Sequence, residues 1–316
     1  MRSDDRTRDI VNAVIARTGG PAGAGERPGE RGRSPIVLVD NPDRVMPAGT
    51  NAAIRRAGGD FVLLLGGHAE LPRDYVRRCV ECLRATGAAG ASGSIVSIGD
   101  GAVGRAIAAA MSSPFGIGNS GFRTSTSGEP VAVDTIPFPL FRRDVYEKVG
   151  LYNPAMVRHQ DYEFNYRVRQ SGAALMLIPG LQASYHVRPS LTRLWRQYWQ
   201  YGVWKGRFLR RFPQSLKVRH LVPPAFVLAL AASAVLALAV RGAWWPFAFL
   251  GGAYLAFVLL GIATFAARGR FDVAPWLPIV MPCLQWSYGL GVWIGLALPR
   301  VPDAPRFDPA ESRGAA

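Results

Sequence analysis

The sequence predicts an α/β domain with a mostly parallel sheet, followed by an interfacial helix and a C-terminal helical membrane region. In the first half of the chain, apolar runs of strand length alternate with helical segments, which is typical of a parallel sheet covered on both faces. A basic segment rich in aromatic residues follows, as expected of a helix at headgroup level. Three apolar stretches then have about the twenty residues that a bilayer requires.

These observations divide the 316 residues into four parts. Residues 1–189 are expected to form the α/β domain, and residues 190–220 the interfacial helix with a basic linker. Residues 221–298 hold about three membrane segments, and residues 299–316 form a polar tail. The net charge is +15. Because arginines gather just before the first apolar stretch and no nucleic-acid-binding signature occurs, the basic excess favours a membrane surface over nucleic acid as partner.

Apolar periodicity and the positions of Gly and Pro predict the individual elements. The expected helices are residues 8–18, 47–57, 72–86, 143–149, 160–170 and 190–212. The expected strands or extended segments are residues 35–40, 61–65, 91–98, 133–141, 174–178 and 183–187. Two loops are expected at residues 19–34 and 113–130, and the second is rich enough in Gly, Ser and Thr to close over a substrate.

The apolar stretches are residues 221–240, 243–266 and 273–298. The third contains Gln285 and several Pro and Gly residues, so we expect it either to cross the membrane or to bend back within it. A buried helical core is the alternative for all three. The basic residues before residue 221 predict a cytoplasmic α/β domain, and the polar start of the chain agrees with this orientation.

The three cysteines indicate packing rather than a redox or metal site. Cys79 and Cys82 form a C-x-x-C motif, but they lie in a helical pattern without a second pair. We interpret them as small apolar residues on a helix, with a zinc or redox site as the alternative. Cys283 lies in an apolar stretch.

The segment from His159 to Arg167 concentrates polar side chains at the start of a predicted helix. Asp161 is placed where the helix dipole favours an ionised carboxylate, which suits a proton acceptor. The alternative is that Asp161 only caps the helix. Glu163 and Arg167 are four residues apart and are expected to form a surface ion pair.

Several fragments occur in one order along the chain. They are Asn41-Pro42-x-Arg44, Ala48-Gly49-x-Asn51, Val133-Asp134-Thr135, Gln160-Asp161-x-Glu163-x-Asn165-Tyr166-Arg167 and Arg196-Gln197-Tyr198-x-x-Tyr201-Gly202-x-Trp204-Lys205. This order, followed by membrane helices, resembles the family 2 glycosyltransferases with the GT-A fold. Within the family it is most similar to the ExoA-like branch of succinoglycan biosynthesis. The resemblance covers about residues 1–298.

The resemblance implies an inverting transfer from a nucleotide-sugar donor to a lipid-linked or polysaccharide acceptor, in exopolysaccharide-type biosynthesis. It implies a divalent metal, manganese or magnesium, on the donor diphosphate, and it places the general base at Asp161. The donor- and acceptor-binding residues that it implies are Asn51, His68, Asp134, Gln160, Glu163, Arg167, Gln197, Tyr201 and Trp204. His68 is also the candidate metal ligand.

The resemblance further implies a multi-pass protein of the bacterial cytoplasmic (inner) membrane, with other polysaccharide-assembly proteins as further partners. Processive polymerases of the family carry a Gln-x-x-Arg-Trp motif. This chain has Gln200-Tyr201-Gly202-Val203-Trp204, without the arginine, which favours the addition of a single sugar.

Two departures from the family pattern suggest a second function. The family's Asp-x-Asp or Asp-x-His motif corresponds here to Gly66-Gly67-His68, and the family's first strands have no counterpart, so we expect an N-terminally truncated domain. The alternative function is therefore a catalytically impaired homologue that acts as a membrane scaffold or partner subunit. A small transporter has little support, because the apolar stretches lack paired ionisable residues.

Overall fold

The computed structural model describes residues 6–18, 36–67, 69–118, 121–124 and 128–304. The predicted loop at 19–34, His68, the middle of the 113–130 loop and the end of the polar tail lie outside these described residues.

The predicted helices are present, with bounds close to those expected. The helices of the described residues are α1 (Thr7–Thr18), α2 (Met46–Arg56), α3 (Tyr75–Thr86), α4 (Gly101–Met111), α5 (Pro114–Ile117), α6 (Gly121–Thr124), α7 (Asp144–Val149), α8 (Gln160–Gln170), α9 (Leu191–Arg211), α10 (Val218–Ala239), α11 (Trp245–Ala267) and α12 (Leu277–Ala297). Short 3-10 turns at Pro213–Ser215 and Ala274–Trp276 precede α10 and α12.

The strands form one mixed sheet whose longest pair is parallel. They are β1 (Phe61–Leu63), β2 (Ala69–Glu70), β3 (Gly90–Ile98), β4 (Val131–Ala132), β5 (Leu140–Arg142) and β6 (Leu175–His186). Their order is β1-β5-β3-β6-β2, with β4 pairing to β6. The central β3 and β6 run parallel over nine residue pairs, whereas the shorter flanking pairs are antiparallel. A helix-covered sheet followed by membrane-length helices confirms the predicted α/β class.

Two strand predictions are corrected. Residues 36–41 form no strand, and Ile36, Val37 and Leu38 are each more than a third exposed, because no strand of the described sheet pairs with this run. The two expected strands at 174–178 and 183–187 are one strand, β6, with a register shift opposite Gly93 and Ser94. A Cβ on Gly93 would lie 1.9 Å from the Leu181 carbonyl oxygen, so glycine is required where the chain bulges.

The loop expected at 113–130 is partly helical and packs on the membrane helices. Its short helix α5 contacts α11 and α12, and the Phe115 ring lies 5.4 Å from that of Phe257. Gln285 on α12 donates a hydrogen bond of 2.6 Å to the Phe115 carbonyl. The described start of this segment is therefore held in place by the membrane region and is not a free lid.

Two apolar clusters cover opposite faces of the sheet. Leu140 and Phe141 alternate along β5 and point into different clusters. Phe164 on α8 is fully buried in one of them, with its ring stacked at 4.4 Å on Tyr152 and edge-on at 5.1 Å to Phe141. This cluster fixes the position of α8 above the sheet.

The opposite cluster contains the two cysteines of α3, together with Tyr75. Cys79 is fully buried, and burial raises the pKa of its thiol to about 12. Burial also raises the pKa of the Cys82 thiol. Both are therefore packing residues with protonated, unreactive thiols at physiological pH.

Within the described residues, three helices, α10, α11 and α12, are long and apolar enough to cross a membrane. The first two are largely exposed to their surroundings, whereas half of the apolar window of α12 is buried. α9 packs along α12 in the most extensive contact between helices, so this basic, aromatic helix lies against a membrane helix as well as against the α/β domain.

Candidate functional site

Asp161 lies in the first turn of α8, where water can reach its side chain although protein surrounds it closely. The backbone N–H of Tyr162 donates to its Oδ1 at 2.8 Å. Desolvation outweighs such hydrogen bonds and raises the pKa of the carboxyl. Desolvation therefore shifts this pKa in the direction opposite to the one that the helix dipole favours. A reachable carboxylate with a raised pKa is well suited to accept a proton.

His159 forms the turn into α8 in an unusual backbone conformation. Its φ is 62°, in the left-handed region that a residue with a side chain rarely adopts. Its ring lies 5.9 Å from that of Tyr162 and 5.6 Å from that of Tyr201. Desolvation, followed by the charge of Lys205, lowers the pKa of His159 to about 3. A neutral imidazole in a strained turn therefore precedes Asp161, and such strain is common at functional sites.

The α9 helix supplies a wall next to Asp161. Gln197 is buried and donates from Nε2 to the hydroxyl of Tyr201 at 2.9 Å. Desolvation raises the pKa of Tyr201, and the Asp161 charge contributes in the same direction. The structure therefore brings Gln197 and Tyr201 to the same region as Asp161, where the sequence predicted acceptor-side residues.

Trp204 and Gln160 have more peripheral surroundings. The guanidinium carbon of Arg207 lies 4.4 Å from the ring centre of Trp204, and Trp204 packs against the buried cluster that contains Met156 and Phe208. The Nε2 of Gln160 lies 3.1 Å from the sulfur of Met46, a weak hydrogen-bond acceptor.

Three of the residues expected to bind substrate make intramolecular contacts in and around α8. Glu163 is buried, and its carboxylate pairs with Arg167 through two contacts of 2.6 and 2.9 Å, so the predicted surface pair is a buried one. Arg167 also donates to the Leu151 carbonyl at 2.7 Å. The Asn51 side chain donates from Nδ2 to the Tyr152 carbonyl at 2.7 Å, and its Oδ1 accepts from the Tyr152 backbone N–H at 2.9 Å. These contacts hold the chain at 149–152 against α8.

Asp134 lies in a cluster of cations beside an open cavity of about 540 Å³. Lys217 donates to its carboxylate, and Arg169 and Arg219 stand 3.6 and 3.9 Å away. Burial alone would raise the pKa of Asp134, but the hydrogen bond from Lys217 and the three positive charges together lower it. Asp134 is therefore ionised, and its site carries more positive than negative charge.

The sequence did not indicate a group of basic residues in and near this cavity, because their roles depend on tertiary packing. Lys217 and Arg219 were assigned only to the basic linker, and Arg169 to no site. Lys205 is 1% exposed, and no acceptor in the described part of the chain hydrogen-bonds its Nζ. Its Nζ lies 3.9 Å from the ring centre of Tyr162. A lysine among arginines on an aromatic helix gave no signal of such burial.

The described residues do not provide the ligands expected of a magnesium or manganese site. At the end of β1, Gly66 and Gly67 offer no side-chain oxygen, and His68 lies outside the described residues. No group of three or more His, Cys, Asp or Glu residues able to hold a metal ion occurs in the described ranges. Both ions prefer oxygen ligands in number, so the family's metal does not fit this part of the structure.

The amino-terminal part of the chain is similar to a known protein family. Residues 2–150 match the model of "Glycosyl transferase family 2". The chain is 26% identical over 261 residues to the succinoglycan biosynthesis protein ExoA of Rhizobium meliloti (strain 1021), which covers 82% of this chain and 77% of that protein.

A second relative comes from Methanococcus voltae. It is a dolichyl N-acetyl-alpha-D-glucosaminyl phosphate 3-beta-D-2,3-diacetamido-2,3-dideoxy-beta-D-glucuronosyltransferase, 25% identical over 182 residues, which is 56% of each chain. The family match ends before α8, so Asp161 lies beyond it, although the similarity to ExoA spans most of the chain.

Proposed function

We propose that this chain, whose residues 2–150 match the family 2 glycosyltransferases and which has three membrane-length helices, transfers a sugar from a nucleotide-sugar to a lipid-linked glycan with inversion at the anomeric carbon. The observation that carries the proposal is Asp161, a water-accessible carboxylate with a raised pKa at the start of α8. Gln197 and Tyr201 on α9 provide the adjoining wall.

The proposed reaction is a single displacement. The acceptor hydroxyl gives its proton to the Asp161 carboxylate while its oxygen bonds to the anomeric carbon. The bond from that carbon to the nucleotide diphosphate breaks, and the diphosphate leaves with the bonding electrons. Attack opposite the leaving group inverts the configuration. Asp161 releases its proton to water when the product departs.

The surroundings of the site favour a membrane-bound acceptor. α9 forms part of the site and packs along α12, so an acceptor near Asp161 is also near the membrane region. We further propose that the protein lies in a bacterial cytoplasmic membrane with the α/β domain in the cytoplasm, because basic residues cluster before α10.

The test uses membranes supplied with labelled nucleotide-sugars and lipid extract. Asp161→Asn keeps the side-chain shape and removes the base, so sugar transfer should fall about 100-fold or more. Asp144→Asn, which changes a carboxylate on α7 paired with Arg142 and Lys148 at the protein surface, is the matched control and should retain transfer. Unchanged transfer by Asp161→Asn at normal protein levels would refute the assignment of the base.

A second candidate function is a non-catalytic membrane scaffold or partner subunit. The missing side-chain oxygens at Gly66 and Gly67 favour it. Calorimetric titration of the purified protein with UDP and manganese separates the two functions. Saturable UDP binding supports the transferase, and the absence of binding, together with absent transfer, supports the scaffold.

A further inference from the structure

The cavity beside Asp134 is built with an excess of positive charge. Arg169, Lys217 and Arg219 line it, and we call these three residues the cation cradle. Lys217 donates a hydrogen bond to the Asp134 carboxylate, and the two arginines stand 3.6 and 3.9 Å from it. Among the described residues that line the cavity, three are basic and Asp134 alone is acidic, so the cavity attracts an anion.

A fourth basic side chain, Lys205, lies in the protein interior close enough to interact with the same three residues. The buried Nζ of Lys205 contacts the face of the Tyr162 ring, and no hydrogen-bond acceptor reaches it in the described residues. An unpaired buried ammonium is unfavourable by itself, and a nearby anion would relieve it. The hydroxyl of the same tyrosine donates a hydrogen bond of 3.4 Å to the carbonyl of Ser215.

The cradle lies at the boundary of the membrane region. Lys217 is the residue before α10, and Arg219 is in the first turn of that membrane-length helix. Cations at such a boundary face the level of lipid phosphates. A phosphate attached to a membrane lipid would lie at this level and could reach the cradle without leaving the bilayer surface.

The cradle is also connected to the proposed base. Arg169 and Asp161 are eight residues apart on α8, which corresponds to about 12 Å along the helix axis. A sugar attached to a phosphate held near Arg169 can therefore extend toward Asp161. Arg169 is fixed for this purpose by a hydrogen bond of 3.0 Å from its Nε to the Asp134 carbonyl.

We propose that the cation cradle binds the phosphate group of the lipid-linked acceptor and thereby positions its sugar at Asp161. This inference rests on the proposed transferase function and names the substrate class of the same site. In this arrangement the Asp134 carboxylate holds the three cations together and competes with the phosphate for them.

The test measures lipid binding and needs no turnover. The purified full-length protein in phosphatidylcholine nanodiscs is titrated with geranylgeranyl phosphate, and native mass spectrometry gives the apparent Kd. Geranylgeraniol, inorganic phosphate and phosphatidylglycerol are the comparison ligands. The wild type should bind geranylgeranyl phosphate at least tenfold more tightly than each of them. Equal binding of the alcohol, of inorganic phosphate or of phosphatidylglycerol would overturn the proposal.

Variants of opposite expected sign separate ligand binding from structural damage. Lys217→Gln should weaken the binding of geranylgeranyl phosphate about tenfold, whereas Asp134→Asn should tighten it, because a competing negative charge is removed. The matched control is Arg268→Gln, which changes an exposed arginine after α11, outside the cradle, and should leave the Kd unchanged. Binding unaffected by Lys217→Gln, or weakened by Asp134→Asn in a stably folded protein, would refute the cradle.

Asp161→Asn should bind geranylgeranyl phosphate as the wild type does. A failure of the proposed base can therefore be distinguished from a failure of the cradle.

Discussion

At the scale of single residues, His159 combines a left-handed backbone with a neutral, desolvated imidazole. The pKa of His159 is about 3 in the folded state and 6.5 ordinarily. Between pH 3 and pH 6.5, His159 is therefore protonated in the unfolded chain and neutral in the folded chain. Stability contributed by this group is therefore present above pH 6.5 and is lost as the pH falls toward 3. At pH 5 the loss is at most about 2 kcal/mol.

His159→Asn should remove this loss, since asparagine does not titrate and tolerates a positive φ. Thermal unfolding between pH 7.5 and 5 should show a smaller decrease for the variant than for the wild type. The raised pKa of Asp161 acts in the opposite sense in both proteins and cancels in the comparison. Parallel pH curves for the two proteins would contradict the assignment.

The carboxyl of Asp161, the proposed base, should have its own pH signature. Because desolvation raises the pKa of Asp161, sugar transfer should decline on the acid side with an apparent pKa above the ordinary 3.8 of an aspartate. The check is the pH dependence of kcat/KM in membranes, with protein stability followed in parallel. A flat profile down to pH 4 in a stably folded enzyme would exclude Asp161 as a base of raised pKa.

The buried amine of Lys205 is expected to lower the stability of the fold, although it lies near the cation cradle. Its ammonium is buried, and desolvation followed by Arg219, Arg169 and Lys217 lowers its pKa well below the ordinary value. Lys205→Met keeps the length of the side chain and should stabilise the fold by about 1–3 kcal/mol. Thermal unfolding in detergent checks the sign, and a lower melting temperature would mean that the contact with Tyr162 outweighs the burial of the charge.

At the scale of elements, glycines permit the close contact of α9 with α12. A Cβ on Gly295 would lie 2.0 Å from the Val203 carbonyl oxygen, and a Cβ on Gly202 would lie 2.2 Å from that of Tyr288. Gly295→Ala should therefore force the two helices apart and cost about 1–3 kcal/mol. Gly251→Ala on α11 is the matched control, because nothing lies within 4 Å of its added Cβ. Equal melting temperatures for the two variants would contradict the close packing.

The basic end of α9 also serves this contact. Arg210 donates to the carbonyls of Leu296 and Leu298 at 3.1 and 2.6 Å, and Arg207 donates to that of Pro299 at 3.1 Å. These carbonyls lie at the end of α12, where a helix has no internal donors for them. Arginines predicted to face lipid are therefore used in part to cap a membrane helix.

What the sequence could predict at this scale depended on how local the signal was. Helices such as α8 and α9 were found within one or two residues, because periodicity and flanking glycines are local. α4 was missed, since its residues are buried on most sides and show little polar contrast. The run at 36–40 has the composition of a buried strand, yet a strand needs a neighbour, and the described sheet offers none.

The site shows the same division. Asp161, Gln197 and Tyr201 come together as the motifs suggested, because they belong to two helices predicted correctly. Burial of Glu163 and of Lys205 depends on contacts between distant segments, so it could not be inferred from spacing. The sequence motifs indicated which residues belong to the site. Only the folded structure shows which of them are exposed to a ligand and which are buried in contacts within the protein.

At the scale of the whole molecule, the α/β domain and the membrane helices share one apolar cluster. It joins α4 and Val187 of the domain to α9, α11 and α12. The predicted boundary at 189 therefore passes through a common core, and we expect α4 to unfold together with the membrane region. The sheet cluster around Phe164 contains only residues 54–175 and lacks this connection.

The positions of the tryptophans allow this coupling to be measured. All 8 lie at or beyond residue 195, so tryptophan fluorescence reports on α9 and the membrane region alone. Ile107 on α4 is fully buried in the shared cluster, and Ile54 on α2 is equally buried in the sheet cluster. Truncating either to alanine removes the same atoms and costs about 2–5 kcal/mol. Ile107→Ala should lower the tryptophan-monitored unfolding temperature by roughly 5 °C or more.

Ile54→Ala should shift that transition far less, although circular dichroism of the whole chain should detect its loss of stability. If both variants shift the tryptophan signal equally, the whole chain unfolds as one unit. If neither does, the shared cluster contributes nothing to the membrane region. Only an effect confined to Ile107 supports a core that joins α4 to the membrane helices, and through α9 such a core would fix the acceptor wall of the site relative to the bilayer.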